Sequence, residues 1–117
     1  MNRFKDLHVW QKSMRLASLI YEITEIIPEK EKFGLISQLR RNAVSIPSNI
    51  AEGAGRNSNK EYCYFLSISQ GSTFELETQL LICVDLKYLK TEEIDKSINL
   101  IAEIQNMLYS FQQKLKH

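Results

Sequence analysis

Apolar residues recur every three or four positions along almost the whole chain, in four separate segments. This spacing places them along one side of an α-helix, which has about 3.6 residues per turn. Only 4 Gly and 2 Pro occur in 117 residues, too few for the many tight turns of an all-β fold. We therefore predict an all-α protein, folded as a single domain over residues 1–117.

The four segments have recognisable ends. The first runs from about Asp6, which suits an N-cap, to Ile27, because Pro28 disfavours the helical conformation of the residue before it. The other three are predicted over residues 33–52, 59–87 and 91–115, with Thr91 as the N-cap of the last. Connections of roughly four to seven residues make consecutive helices antiparallel neighbours. The pattern thus predicts an up-down-up-down four-helix bundle.

The first segment carries two apolar stripes. The longer stripe consists of Leu7, Trp10, Met14, Ala17, Tyr21 and Thr24. The flanking stripe consists of Leu16, Ile20, Ile23 and Ile27. A helix with two stripes contacts more than one neighbour, and the first and fourth helices carry more apolar residues than a small core requires. We therefore expect a homo-oligomer.

Proline, glycine and a capping pattern allow further predictions within the second and third segments. We expect Pro47 to kink the second helix near residues 43–46, and residues 53–55 to end it. Ser58 and Glu61 match the capping box at a helix start. Gly71 lies in the middle of a helix, where glycine costs about 1 kcal/mol relative to alanine. We expect a large side chain from another helix to pack against it.

The chain carries no targeting or membrane signal that we recognise. Its first residues lack the apolar core of a signal peptide, and the longest apolar run, Leu80–Val84, is far shorter than the ~20 residues of a membrane span. Cys63 and Cys83 would lie roughly 30 Å apart on one helix, so we expect two small buried thiols and no disulfide. We expect a cytoplasmic protein with no membrane partner.

Residues with catalytic or metal-binding chemistry are scarce. His8 and His117 are the only histidines, and neither has the spacing of a zinc or di-iron site. Glu75 and Glu77 lie two positions apart on a helix, so they point in different directions. We expect no metal, no cofactor, no small-molecule substrate and no enzymatic activity.

Charge is distributed unevenly, although the net charge is only +1. The basic residues of the stretch 33–60 are Arg40, Arg41, Arg56 and Lys60. Residues 61–86 contain acidic residues and no Lys or Arg. Two interpretations remain open. The basic stretch contacts nucleic acid, with the amides that begin the third helix binding a phosphate. Alternatively, it is half of a subunit interface whose other half is the acidic helix, and spacing favours this second interpretation.

A polar stripe lies on the second helix. Arg41, Ser45, Asn49 and Glu52 are spaced by four, four and three positions, so they share one face. Serine and asparagine are poor choices inside a helix unless their side chains form hydrogen bonds. We predict a partly buried network that fixes helix register or a subunit contact. A ligand site and a solvated face are the alternatives.

Three motifs resemble one protein family. The segment Leu39–Gly53 resembles the signature of four-helix bundle proteins encoded within intervening sequences of bacterial 23S rRNA genes, also labelled the S23 ribosomal protein family. Segments Phe4–Gln11 and Gly71–Leu80 resemble its two other motifs. The family is similar to the accessory variability determinant proteins of diversity-generating retroelements. These proteins imply an antiparallel bundle in a homopentameric ring with no established enzyme activity. The retroelement relatives further imply binding to nucleic acid and a reverse transcriptase.

Carried over by motif, the marked polar positions of the family are Arg40, Arg41, Asn49 and Glu52. Our first functional hypothesis is a non-catalytic, ring-forming bundle that contacts RNA through the second helix and the start of the third. The second is a structural or protein-interaction oligomer without a nucleic-acid role, such as a scaffold for a reverse transcriptase. The third is an enzyme with an unrecognised site.

Overall fold

Four helices and two short 3-10 turns make up the computed structural model, which describes residues 3–116. The helices are α1 (His8–Thr24), α2 (Leu35–Ala54), α3 (Asn59–Asp85) and α4 (Thr91–Lys116). Residues 3–116 contain no strand. The predicted all-α class is therefore confirmed, and the architecture is consistent with a four-helix bundle. None of the helices in this range is long and apolar enough to cross a membrane.

Helix α1 is shorter than predicted at both ends. Asp6 is not its N-cap, because residues 4–6 form a separate 3-10 turn in which the Asp6 carboxylate pairs with Arg3 Nε at 2.7 Å. Leu7 then adopts an extended conformation before the helix begins. At the other end, hydrogen bonds between residues three apart tighten the chain from Glu25 to Ile27. The regular helix therefore ends at Thr24, before Pro28 is reached.

Helix α2 begins and ends two residues later than predicted. Its first amide, that of Leu35, donates to Glu31 Oε1 at 3.2 Å. Helix α2 continues through Pro47 without a break. Gly53 lies inside the helix, and Gly55 is the residue that caps it, with its N–H donating to Ala51 O and Glu52 O.

The start of α3 shows one of the two backbone bonds of the predicted capping box, and the Glu61 carboxylate meets the Ser58 hydroxyl instead of a second backbone amide. The Glu61 amide donates to Ser58 Oγ at 3.1 Å, and the Ser58 hydroxyl in turn lies 3.3 Å from the Glu61 carboxylate. Helix α3 ends at Asp85, two residues earlier than predicted, before Lys87 adopts a positive φ of 64°. Thr91 is the first residue of α4 rather than its N-cap, and Glu93 accepts the amide of Lys90 at 2.8 Å.

One hydrophobic core lies between the helices, with α2 packed on α1 and α3, and α4 packed on α3 and α1. Its largest fully buried side chains are Leu16, Ile20, Leu39, Ile46, Ile50, Leu66, Leu76, Leu80, Ile94, Ile101, Ile104 and Leu108. On α1, the flanking stripe is the buried one. Met14 and Tyr21 of the longer stripe are 45% and 44% exposed, because this stripe faces the outer groove between α1 and α2.

The close contact between helices lies at Gly53 and not at Gly71. Apart from its chain neighbours and the nearby backbone of its own helix, no atom lies within 4 Å of the position that a Cβ on Gly71 would occupy, so the predicted large side chain against Gly71 is wrong. At Gly53, the same position lies 2.9 Å from Phe65 Cβ and 3.0 Å from Tyr62 Cδ1. Gly53 is therefore the residue that allows α2 and α3 to approach closely.

Candidate interaction surfaces

Arg40, one of the four predicted nucleic-acid contacts, is bound within its own chain. Its Nε donates to Thr24 Oγ1 at 2.8 Å, and its Nη2 lies 3.3 Å from Glu25 Oε1. Its guanidinium stacks over the Tyr21 ring, 4.7 Å from the centroid. These contacts attach α2 to the end of α1, so the structure gives Arg40 a positioning role between the two helices.

The other three cations do not form one cluster. Arg56 Nη2 lies 2.8 Å from Glu52 Oε2, and its guanidinium covers the Phe65 ring at 4.7 Å. Lys60 is exposed on the first turn of α3, and Arg41 is exposed on α2. Fifteen positions separate Arg41 from Arg56, which is roughly 20 Å along a helix axis. The predicted basic stretch is thus divided into two regions.

The predicted polar network forms only at its centre. Asn49 Nδ2 donates to Ser45 Oγ at 3.0 Å, and Ser72 of α3 donates to the same oxygen at 3.0 Å. Glu52 bonds to Arg56 instead, and among residues 3–116 Arg41 makes no hydrogen bond to this network. The network therefore joins α2 to α3, and the participation of Ser72 was not predicted.

A second polar seam, between α3 and α4, was also not predicted. Gln70 Nε2 donates to Gln105 O at 3.1 Å, and Gln112 Nε2 donates to Gln70 Oε1 at 2.8 Å. Gln105 Nε2 reaches Glu77 Oε1 at 3.0 Å. The amide side chains at these positions were the signal available in the sequence. Polar seams therefore border α3 on both sides.

An apolar surface lies along the outer groove between α1 and α2, and we call it the α1–α2 face. Its exposed apolar side chains are Met14, Tyr21 and Val44. Phe4, Trp10 and Ala17 of the same groove are half-buried, and Pro47 is buried at its floor. At one end of the groove, Phe33 is 90% exposed. Lys32, Arg40 and Arg41 line the same end, so this face combines apolar side chains with positive charge.

A second exposed surface lies on the outer side of α3. We call it the α3 face. All of its residues are exposed, and they are Tyr64, Ser67, Gly71, Phe74, Glu75, Thr78, Leu81 and Ile82. Phe74 is 53% exposed and Leu81 is 49% exposed. Tyr109 of α4 lies beside Phe74 in one cleft. The sequence signal was the presence of apolar residues all around α3, which a single helical period does not explain.

Neither the thiol of Cys83 nor the hydroxyl of Tyr88 belongs to the α1–α2 face or the α3 face. Among residues 3–116, no three His, Cys, Asp or Glu side chains are grouped as metal ligands would be. His117 lies outside the described residues. Burial, with a smaller effect of Glu31, raises the pKa of the Cys83 thiol to about 11. The Tyr88 hydroxyl donates to Glu31 Oε2 at 2.9 Å, which raises the pKa of Tyr88. Both groups are therefore protonated at neutral pH.

Comparisons with known proteins agree on one family. The model of the 23S rRNA-intervening sequence protein family matches residues 5–110. A protein of unknown function from the S23 ribosomal protein family of Bacteroides thetaiotaomicron VPI-5482, in a crystal structure at 1.70 Å, is similar to this chain with a TM-score of 0.82 and 26% identity. The similarity covers 89% of this chain and 97% of that one. No curated protein matches the chain in sequence. The match over residues 5–110 means that the chain belongs to the 23S rRNA-intervening sequence protein family.

Proposed function

We propose that the protein is a non-catalytic scaffold that associates with copies of itself into a ring. The subunit in this proposal is an antiparallel up-down-up-down bundle. Contacts between α2 and α3 support that topology, because Asn42 pairs with Gln79 while Ser45, later in α2, pairs with Ser72, earlier in α3. The ring has five subunits in the form that the family resemblance implies.

The observation that carries the proposal is the presence of two exposed apolar faces on different sides of one subunit. The α1–α2 face and the α3 face both display exposed aromatic side chains, such as Tyr21 and Phe74. Apolar patches of this kind mark interaction sites on soluble proteins. Two different patches on one chain fit head-to-tail association, in which each copy uses one patch on each neighbour.

We expect the purified protein to sediment at micromolar concentration as an oligomer, with a mass several times the 13.6 kDa of one chain. Phe74→Ser should weaken the assembly at least tenfold, because it removes an aromatic anchor worth more than about 1.4 kcal/mol. Ile26→Ser is the matched control, since Ile26 is 54% exposed but lies outside both faces. A monomeric wild-type protein at this concentration overturns the proposal.

A second candidate function, RNA binding, has separate support at one end of the molecule. Asn59 Nδ2 donates to Leu115 O at 3.4 Å, which brings the start of α3 beside the end of α4. The exposed residues Lys60, Lys114 and Lys116 therefore share one end of the subunit with Arg56. Such a group of cations fits a phosphate backbone. In a ring, this end of every subunit would lie on the same side of the ring, so the cations of neighbouring subunits would face the same way.

RNA binding at this end predicts a salt-dependent affinity for a single-stranded RNA oligonucleotide. Lys60→Ala should weaken binding and reduce the salt slope by about one phosphate contact. Lys96→Ala is the control, because Lys96 is exposed near the opposite end of α4. Fluorescence anisotropy across a salt series measures both quantities. Absence of binding at low salt, or equal binding by the Lys60 variant, rejects this candidate.

A further inference from the structure

We infer that the subunits associate by placing the α3 face of one copy against the α1–α2 face of the next, with Glu75 of one copy opposite Arg41 of its neighbour. This inference rests on the proposed self-association and specifies its geometry. It commits to a second copy of this chain as the occupant of both faces.

Charge complementarity favours a second copy as the partner. The α1–α2 face carries Lys32 and Arg41 in addition to Arg40, which is paired with Glu25, whereas residues 61–86 contain no Lys or Arg. Arg41 and Glu75 are exposed, and within residues 3–116 neither forms an ion pair. Opposite charges at an interface guide association and set its register.

The positions of Arg41 and Glu75 along the long axis of the subunit are also similar. Asn42 Nδ2 donates to Gln79 Oε1 at 3.1 Å, and Ser72 Oγ lies 3.0 Å from Ser45 Oγ. These contacts place positions 42–45 of α2 beside positions 72–79 of α3. Arg41 directly precedes this part of α2, and Glu75 lies within this part of α3. Because the two helices run in opposite directions, Glu75 is offset from Arg41 by about one helical turn, roughly 5 Å along the subunit, a distance that the two long side chains can span.

The small offset has a consequence for assembly. A head-to-tail contact with little shift along the axis relates neighbouring copies mainly by rotation, which closes a ring when the rotation angle divides a full turn, whereas a large shift produces an open filament. The α1–α2 face and the α3 face also lie on different sides of the subunit, since α3 packs on α2 and α4 and not on α1. One copy can thus contact two neighbours at once.

Apolar side chains lie beside Arg41 and elsewhere on the face that carries Glu75, and they would strengthen the pair once water is excluded. Tyr21 and Val44 line the same cleft as Arg41. Phe74 precedes Glu75, and Leu81 lies further along the α3 face. Removing water lowers the local dielectric constant, so a wrong charge at either position costs more than it would on an open surface.

Charge reversal tests the pairing. Arg41→Glu and Glu75→Arg should each raise the dissociation constant of the assembly at least tenfold in sedimentation velocity, because each places like charges together. The double variant, which carries both reversals, should associate again, since every contact then joins opposite charges whatever the number of subunits in the ring. Lys96→Glu, outside both faces, is the control, and far-UV circular dichroism verifies that each variant is folded.

The outcomes separate this inference from the proposed function. Association of the wild type, loss in each single variant and recovery in the double variant support the pairing. If the wild type associates and the reversals change nothing, the pairing is wrong and self-association stands. Loss in both single variants without recovery in the double variant also rejects the pairing. A monomeric wild type rejects both proposals.

Discussion

Replacing Leu80 with alanine is expected to lower the free energy of unfolding by about 3 kcal/mol. Leu80 is fully buried on α3 within the core. The substitution removes apolar contacts and leaves a cavity that the packed helices fill only in part, and Leu→Ala changes of this kind cost about 2–5 kcal/mol. Urea denaturation followed by the fluorescence of Trp10, the single tryptophan, measures the loss.

The adjacent leucine supplies the control. Leu81 is 49% exposed on the α3 face, so Leu81→Ala should change the unfolding free energy of the separated subunit by less than about 1 kcal/mol. The same substitution should weaken self-association, because Leu81 belongs to the proposed contact. Dilute samples are needed for the unfolding experiment, since association adds apparent stability. Equal losses of unfolding free energy for Leu80→Ala and Leu81→Ala would contradict the assignment of Leu80 to the buried side of α3 and Leu81 to the exposed side.

Gly53→Ala is expected to destabilise the protein by about 2 kcal/mol, although alanine is the better helix former. The added Cβ would lie 2.9 Å from Phe65 Cβ and 3.2 Å from Tyr62 O. Helices α2 and α3 must then move apart, and overpacking of this kind costs about 1–3 kcal/mol or more. This cost exceeds the gain of up to about 1 kcal/mol in helix propensity.

Gly71→Ala, in contrast, should stabilise the protein. A Cβ at Gly71 meets no atom within 4 Å apart from its chain neighbours and the nearby backbone of its own helix, so only the gain in helix propensity remains, up to about 1 kcal/mol. Thermal and urea denaturation of both variants in dilute solution provide the comparison. A stabilising Gly53→Ala, or a strongly destabilising Gly71→Ala, would show that the helices pack differently from the structure described above.

The helices could be predicted because their signals are local. The spacing of apolar residues and the cap formed by Ser58 and Glu61 depend only on neighbours along the chain, and the structure retains both. The helix ends were predicted less accurately. Asp6 suits an N-cap by residue type, yet its carboxylate bonds to Arg3, and the chain turns before α1 begins.

The candidate sites were predicted less completely, because they depend on contacts between helices. Arg40 was identified by its charge, but its partners Thr24 and Glu25 lie on the other side of a turn and become neighbours only through packing of α1 on α2. The outer surface of α3 was not recognised in the sequence. Its apolar residues share a helix with the buried ones, and composition does not distinguish the two sides.

The sequence by itself determined the fold class, the number of helices and the family, since helical periodicity and motifs are properties of the chain alone. Only the tertiary structure decided which stripe of α1 is buried, which glycine lies at a close contact and which cations remain exposed. Each of these depends on which neighbour a helix meets, because burial and ion pairing require atoms that are distant along the chain to come together in space.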